Sequence, residues 1–217
     1  MRGAPPARRR KTAYRPSQGL VPTYRGYTPR SFGRGEWKYI ETDAMNLTAD
    51  TTPVLTLVNG VTMGTSAANR VGQSITMRSL QLRLVNAATP ATGTDQIHRL
   101  LLVLDRQANG TAPTLPDILY PGGTLFTMRN LDNRKRFKIL WDKTIVLDAS
   151  GEPGTIRFTK MYLKFRRPVT VDFNGGNAGS IGDITSNSLY LCLLGSNAPG
   201  NTAGICQGNV RVRFTDQ

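Results

Sequence analysis

A chain of 217 residues carries 28 Lys and Arg against 14 Asp and Glu, a formal charge of +14, with one histidine and two cysteines. Those few Cys and His residues exclude a disulfide-stapled scaffold and leave no ligand set for a structural zinc site. No apolar run approaches the roughly 20 residues of a membrane-spanning helix, and the N-terminus lacks a signal peptide's apolar core, so a soluble protein made inside a cell, without membrane insertion, is expected.

The charge sits at one end. Residues 1–35 hold nine basic side chains and no acidic one: Arg2, Arg8, Arg9, Arg10, Lys11, Arg15, Arg25, Arg30 and Arg34. They supply +9 of the total, and the other 182 residues only +5. Pro5, Pro6, Pro16, Pro22 and Pro29 punctuate the segment, and its apolar residues are too few to offset the entropy of ordering it. The expectation is a disordered arm over 1–35 and one folded body over 36–217, long enough for a sizeable core. Such an arm suits a polyanion, of which nucleic acid is the commonest. A mitochondrial transit peptide is also Arg-rich, but it forms an amphipathic helix that these prolines oppose. Arg8-Arg9-Arg10-Lys11 reads instead as a nuclear localisation signal, and nucleic-acid contact explains the cluster equally well.

The body reads as all-β. In chain order the predicted strands cover 36–45, 54–63, 75–84, 100–104, 137–147, 156–165 with a continuation through 169–173, 189–194 and 210–214, eight in all. Ile75 and Met77, then Leu80, Leu82 and Leu84, alternate with a slip of phase near Ser79 that predicts a β-bulge. Phe137, Ile139, Trp141, Ile145 and Leu147 predict one apolar face, interrupted at Lys143. At the C-terminus, Val210, Val212 and Phe214 alternate with Asn209, Arg211, Arg213 and Thr215. Residues 100–104 and 189–194 are apolar throughout and should be central strands covered on both faces, with Cys192 a small buried hydrophobe. A disulfide to Cys206 stays open but is not expected in a reducing compartment. A helical turn or two fits 115–120 or 125–133. Eight strands with long connections on about 180 residues predict a two-sheet jelly-roll sandwich, with an immunoglobulin-like sandwich as structural rival.

Catalysis has few parts to work with. His98 opens a strand and reads as a packing or surface residue. There is no GxSxG, HExxH or P-loop. Gly122-Gly123 and Gly175-Gly176 lack the strand–glycine–helix context of a phosphate cradle. Asp172 and Asp183 have no acidic neighbour in sequence, although scattered carboxylates can bind calcium at an interface. The expectation is no enzyme, no cofactor and no metal.

Arginine binds phosphate through two parallel hydrogen bonds and stays charged. Tyr14, Tyr24, Tyr27, Phe32 and Trp37 interleave with or follow the arm's cations, and aromatics so placed can stack on unpaired bases at about 1–3 kcal/mol each. For Phe32 and Trp37, nearest the first strand, packing under the body is the favoured reading; for Tyr14 it is nucleic acid or plain disorder. Nothing resembles a base-reading helix, so little sequence specificity is expected. Arg78, Arg83, Lys160, Lys164, Arg166 and Arg167 form a second set of charges on the body, either an extension of the basic surface or a solvated face.

Three stretches, Arg70-Val71-Gly72-Gln73-Ser74-Ile75-Thr76-Met77-Arg78-Ser79-Leu80, Arg99 through Gly110 with Asp105-Arg106-Gln107, and Arg136-Phe137-Lys138-Ile139-Leu140-Trp141-Asp142-Lys143, follow the arm in order. Together they resemble capsid proteins of small Rep-encoding circular single-stranded DNA viruses, the circovirus-like CRESS-DNA group. Geminivirus coat proteins and the coat protein of satellite tobacco necrosis virus are similar at greater distance. A charge pair between Asp105 and Arg106 would brace the loop, and Asn109-Gly110 suits a tight turn. The resemblance implies a jelly-roll subunit, sixty copies of which form a T=1 icosahedral shell, with the arm turned inward onto viral single-stranded DNA. It also implies host nuclear import receptors before assembly, a virion component afterwards, and an outer surface that meets a cell-surface receptor. RNA is possible as cargo. The rival readings are a small single-stranded RNA (satellite-like) virus coat protein and a cellular nucleic-acid-binding β-domain that forms no shell.

Overall fold

Period-two alternation becomes strand along most of the body. The computed structural model describes residues 36–89, 93–120, 124–148, 155–200 and 203–216. The chain divides into two units, Met1–Gly33 and Arg34–Gln217. The elements of the second unit are β1 (Trp37–Ala49), β2 (Val54–Leu57), β3 (Ser74–Ala87), β4 (Gln96–Asp105), α1 (Leu115–Ile118), β5 (Leu119–Tyr120), β6 (Met128–Arg129), β7 (Phe137–Leu147), β8 (Ile156–Phe173), β9 (Ile184–Ser186), β10 (Ser188–Gly195) and β11 (Gly204–Asp216).

Two antiparallel sheets hold the longer strands. One has the order β1-β11-β3-β8-β9 and the other β2-β10-β4-β7, while β5 and β6 pair only with each other. Successive strands β1, β2, β3 and β4 alternate between the sheets, as do β7 and β8, then β10 and β11. The architecture is all-β and the wiring is consistent with a jelly roll. Between the sheets lies the main core, with Leu80, Leu82 and Leu84 of β3 and Val210, Val212 and Phe214 of β11 facing Leu100, Leu102, Leu189, Leu191 and Leu193. The C-terminal alternation is thus a half-buried strand, as expected.

β4 and β10 are buried along almost their whole length. They pair with each other at the middle of the four-stranded sheet, from Ser188 opposite Asp105 to Gly195 opposite His98. Their second face carries Leu101, Val103, Cys192 and Leu194, and these pack under Leu115, Ile118, Leu119 and Leu125 from the segment between β4 and β7. Thr114 starts α1 by donating both its N–H and its hydroxyl to Asp117. Arg99 fastens the segment down: it donates to the carbonyls of Leu125 and Thr127 at 2.8 and 2.7 Å and grips Asp142 with two hydrogen bonds. Residues 125–133 hold β6 instead of a second helical turn, because β5 offers it a partner.

The phase slip in β3 is a bulge. Register breaks between Met77 and Ser79 on both sides: against β11 Arg78 is the one extra residue, while on β8 residues 165–168 lie opposite it. A second break, with no counterpart in the sequence pattern, splits the apolar face predicted for β7. Leu102 pairs with Trp141 but Val103 with Ile139, so Leu140 is extra. Trp141, Ile145 and Leu147 therefore join the main core while Phe137 and Ile139 join the outer cluster. β2 also ends six residues before the predicted limit. Buried Asn59 donates to Asn187 O and accepts from Leu189 N, and a side chain on Gly60 would meet the Gly179 carbonyl at 2.1 Å, so the chain turns out of the sheet there.

The expected pair Asp105–Arg106 does not form. Neighbours on a strand point to opposite faces, and buried Asp105 instead accepts two hydrogen bonds from Arg136, at 2.9 Å each. Arg70, fully buried, has three backbone acceptors: Val61 O, Gly72 O and Gly176 O, and its guanidinium lies 4.1 Å from the Phe173 ring centroid. One side chain thus ties three loop backbones together. Replacing Arg70 with Met strands these acceptors and should cost about 3 kcal/mol or more in urea unfolding; a loss below about 1 kcal/mol would contradict the clamp.

His98 points between the sheets, where its Nδ1 lies 3.4 Å from Asn86 Oδ1, and Asn86 in turn reaches Thr159. Gly204 leaves room for it, since a side chain there would meet the imidazole Nε2 at 2.2 Å. Burial lowers the His98 pKa from 6.5 to about 4. The folded state therefore binds fewer protons than the unfolded one. This contribution to stability is complete above about pH 6.5 and declines as pH falls towards 4, by roughly 2–3 kcal/mol between pH 7.5 and 4.5. Unfolding the wild type and His98→Gln at both pH values should show that much less acid sensitivity in the variant; equal sensitivity would refute the assignment.

Candidate nucleic-acid interface

The arm residues Arg2, Arg8, Arg9, Arg10, Lys11, Arg15, Arg25, Arg30 and Arg34, and the aromatics Tyr14, Tyr24, Tyr27 and Phe32, lie outside the described residues. Trp37 is described. It opens β1, 62% exposed, so the favoured reading of packing beneath the body is not what the structure has. Opposite Trp37 stands Thr215, and its neighbours along the strand face are Tyr39 and Glu41.

Because one face of the five-stranded sheet fills the core, the alternate residues of each strand form a single outward face. Register sets its rows. Tyr39, Arg213, Ser79 and Lys164 make one row; Glu41, Arg211, Gln81 and Tyr162 the next; Asn209, Arg83 and Lys160 a third. Five cations from three strands thereby share a surface, although residues 83, 160 and 211 are far apart in sequence. Glu41 offsets one of them, at 2.8 Å from Arg211, whose guanidinium also lies 5.1 Å from the Tyr39 ring centroid. Among the described residues no ion pair offsets Arg83, Arg213, Lys160 or Lys164.

Arg83 and Lys160 stand directly opposite each other across the β3–β8 ladder. Like charges in that position destabilise a sheet by a few tenths of a kcal/mol or more. A polyanion lying over both removes the cost. Along β8, Phe158, Lys160, Tyr162 and Lys164 occupy successive outward positions, roughly 7 Å apart, so aromatic and cation alternate. Phe158 and Tyr162 are largely exposed. A concavity of about 360 Å³ beside this ladder is lined by Glu41, Gln81, Arg83, Asn209 and Arg211. Cations can take phosphates there while exposed rings offer π-faces to unpaired bases.

The sequence pattern pointed to Arg83, Lys160 and Lys164. It did not single out Arg211 and Arg213, whose strand position it placed correctly, nor Phe158 and Tyr162, which lie far from the arm in sequence. Both pairs were legible as outward residues of predicted strands. Arg78 is half-buried in the bulge and donates to Thr215 Oγ1, while Arg166 and Arg167 are exposed in the irregular stretch of β8 opposite it. Asp172 and Asp183 are engaged locally, with Ser186 and Ser180. Among the described residues no group of three or more His, Cys, Asp or Glu is placed to hold a metal. Both cysteines are free, on different sides of the four-stranded sheet, and burial pushes each thiol up to about 12.

A β-sandwich with one cationic, aromatic-studded sheet face offers nucleic acid a surface of matching chemistry. Residues 2–217 match the Geminivirus coat protein/nuclear export factor BR1 family. The chain belongs to that family, and is thereby a viral coat protein of the single-stranded DNA virus kind. The relation that looked more distant by residue motifs is the one the whole chain supports, and the circovirus-like group is compatible with it. No curated protein matches. Among solved structures, a chain of the T13 IBDV viral particle is 14% identical over 84% of this chain and 39% of its own length, with a TM-score of 0.17, too low to carry an argument.

Lys160→Gln and Arg83→Gln should each weaken binding of single-stranded oligonucleotides irrespective of sequence. Each should also reduce the slope of log K against log salt by about 0.7 if one phosphate contact is lost. Tyr162→Ala should cost roughly 1–3 kcal/mol on unpaired strands and little on duplex. Unchanged slopes in both charge variants would remove the face from the interface.

Proposed function

We propose that the chain is the capsid subunit of a T=1 icosahedral shell of sixty copies, and that it packages circular single-stranded DNA through the basic arm over 1–35. The observation that carries this reading is the separation of charge: an arm with nine cations and no acid on a body whose outward sheet face sets like charges against each other. Sixty such arms converging inside a shell bring about 540 positive charges together, and their repulsion opposes closure unless a polyanion is enclosed. Assembly and packaging are therefore coupled, and both weaken with salt. Arginines of the arm bind phosphates and Tyr14, Tyr24 and Tyr27 stack on bases, while the sheet face of the body offers cations and exposed rings of its own. The jelly roll supplies a rigid subunit and its loops the contacts between copies. Before assembly, Arg8-Arg9-Arg10-Lys11 engages host nuclear import receptors, so the protein passes through the nucleus on its way to the virion. The outer surface meets a host-cell receptor.

The test is deletion of residues 1–35. Particles of the deletion protein should lack nucleic acid by absorbance ratio and nuclease-protected content, while the body keeps its unfolding transition. Undiminished nucleic acid in those particles overturns the role of the arm, and protected RNA in full-length particles from infected cells overturns DNA as the cargo.

A further inference from the structure

The segment between β4 and β7 has a second surface. Its inner residues Leu115, Ile118, Leu119 and Leu125 cover the sheet, but Tyr120, Phe126, Met128 and Leu131 are 60%, 76%, 83% and 67% exposed. Four large apolar side chains over twelve residues are a patch and not scattered exposure. With residues of this size presenting about 150–250 Å² each, those fractions leave roughly 430–700 Å² of largely apolar surface in water, around or above the top of the range for one patch on a monomer. A standard interface takes about 800 Å² from each partner.

We propose that this platform is the seat of a second copy of the chain, as a lateral contact between neighbouring subunits. The proposal rests on the reading of the chain as a shell protein, whose family implies self-assembly. Position supports it. Phe126 and Met128 line a depression with Asp142 and Thr144 of β7, and β7 is the edge strand of its sheet. A sheet margin is where a neighbour in a shell meets the subunit, and an eleven-residue edge strand is a liability when left uncovered.

Shape supports it too. Through Phe126 the platform runs into a cavity of about 470 Å³ lined by Pro53, Leu115, Pro116, Leu125 and Leu194. The same surface thus offers projecting side chains and an apolar recess to receive them. Charge completes the case: Asp132, Arg134 and Lys135 follow Leu131 in the chain and all three are exposed. A rim carrying both signs can meet itself without net repulsion, which a chain of +14 otherwise risks. The platform is also preorganised. Arg99 holds the backbone of Leu125 and Thr127, so little ordering entropy is lost when a partner docks.

The experiment uses the full-length chain and two single variants, Met128→Glu and Phe126→Glu. Both side chains project into solvent, so each variant should keep the wild-type unfolding transition. Each should lower the assembled fraction, read by sedimentation velocity and electron microscopy, by at least about tenfold. Met128→Leu should assemble as wild type does. A photo-crosslinker at position 128 should give a product of twice the chain mass. Assembly of both Glu variants at wild-type levels overturns the proposal, and so does a crosslink confined to one chain, which would seat that chain's own arm on the platform. If wild-type protein forms no shells, the shell reading fails. The platform then stands or falls on whether the variants dissociate the small oligomer, and a strictly monomeric wild type overturns both.

Discussion

The pairing of β4 with β10 is the constraint on which the rest of the body depends. Each strand is apolar on both faces, so the sheet they centre has to be covered twice. The five-stranded sheet supplies one cover and, in doing so, commits only one of its own faces. Its other face is released to be polar, cationic and aromatic. The segment between β4 and β7 supplies the second cover, and its far side is left carrying apolar residues in water. The two surfaces with functional promise are therefore by-products of one packing requirement.

Arginine does two opposite jobs in this body. Arg70, Arg99 and Arg136 are bound to fixed acceptors: loop carbonyls, a carboxylate with two carbonyls, and buried Asp105. Their planar forks satisfy several oxygens from one position, which a lysine cannot do in the same geometry. Arg70 and Arg99 hold loop segments that no sheet ladder holds, and Arg136 fastens the start of β7 to the end of β4. Arg83 and Arg213, with Lys160 and Lys164, stand on an open sheet face beside one another. The first group stabilises the fold; the second slightly strains it, and a polyanion bound there would relieve the strain.

Polar residues inside the sandwich are likewise held by partners from other strands. His98, Asn86 and Thr159 form a chain of contacts between the sheets near the start of β11, where Gly204 makes room for the imidazole. Such a cluster makes the core sensitive to acid, because the histidine must stay neutral there. Nothing in its sequence neighbourhood distinguishes it from a surface histidine. Only the pairing of β4 with β10 and the nearness of β3 bury it.

Most strands were legible because burial of one face imposes period two, and Val210, Val212 and Phe214 or Leu80, Leu82 and Leu84 display it directly. The fully apolar runs at 100–104 and 189–194 announced central strands for the same reason. The slip at Ser79 was visible because apolar residues lie on both sides of it; the slip at Leu140 was not, because the apolar residues before and after it each find a core and the alternation runs through position 140 unbroken. The sequence by itself determined the all-β class and the concentration of charge over 1–35, since these depend on composition and local periodicity. Tertiary structure alone decided that Asp105 pairs with Arg136 rather than Arg106, that Arg83 faces Lys160, and that Tyr120, Phe126, Met128 and Leu131 share one platform. Those relations join residues on different strands or turns, and only strand register and the docking of one segment on another bring them together.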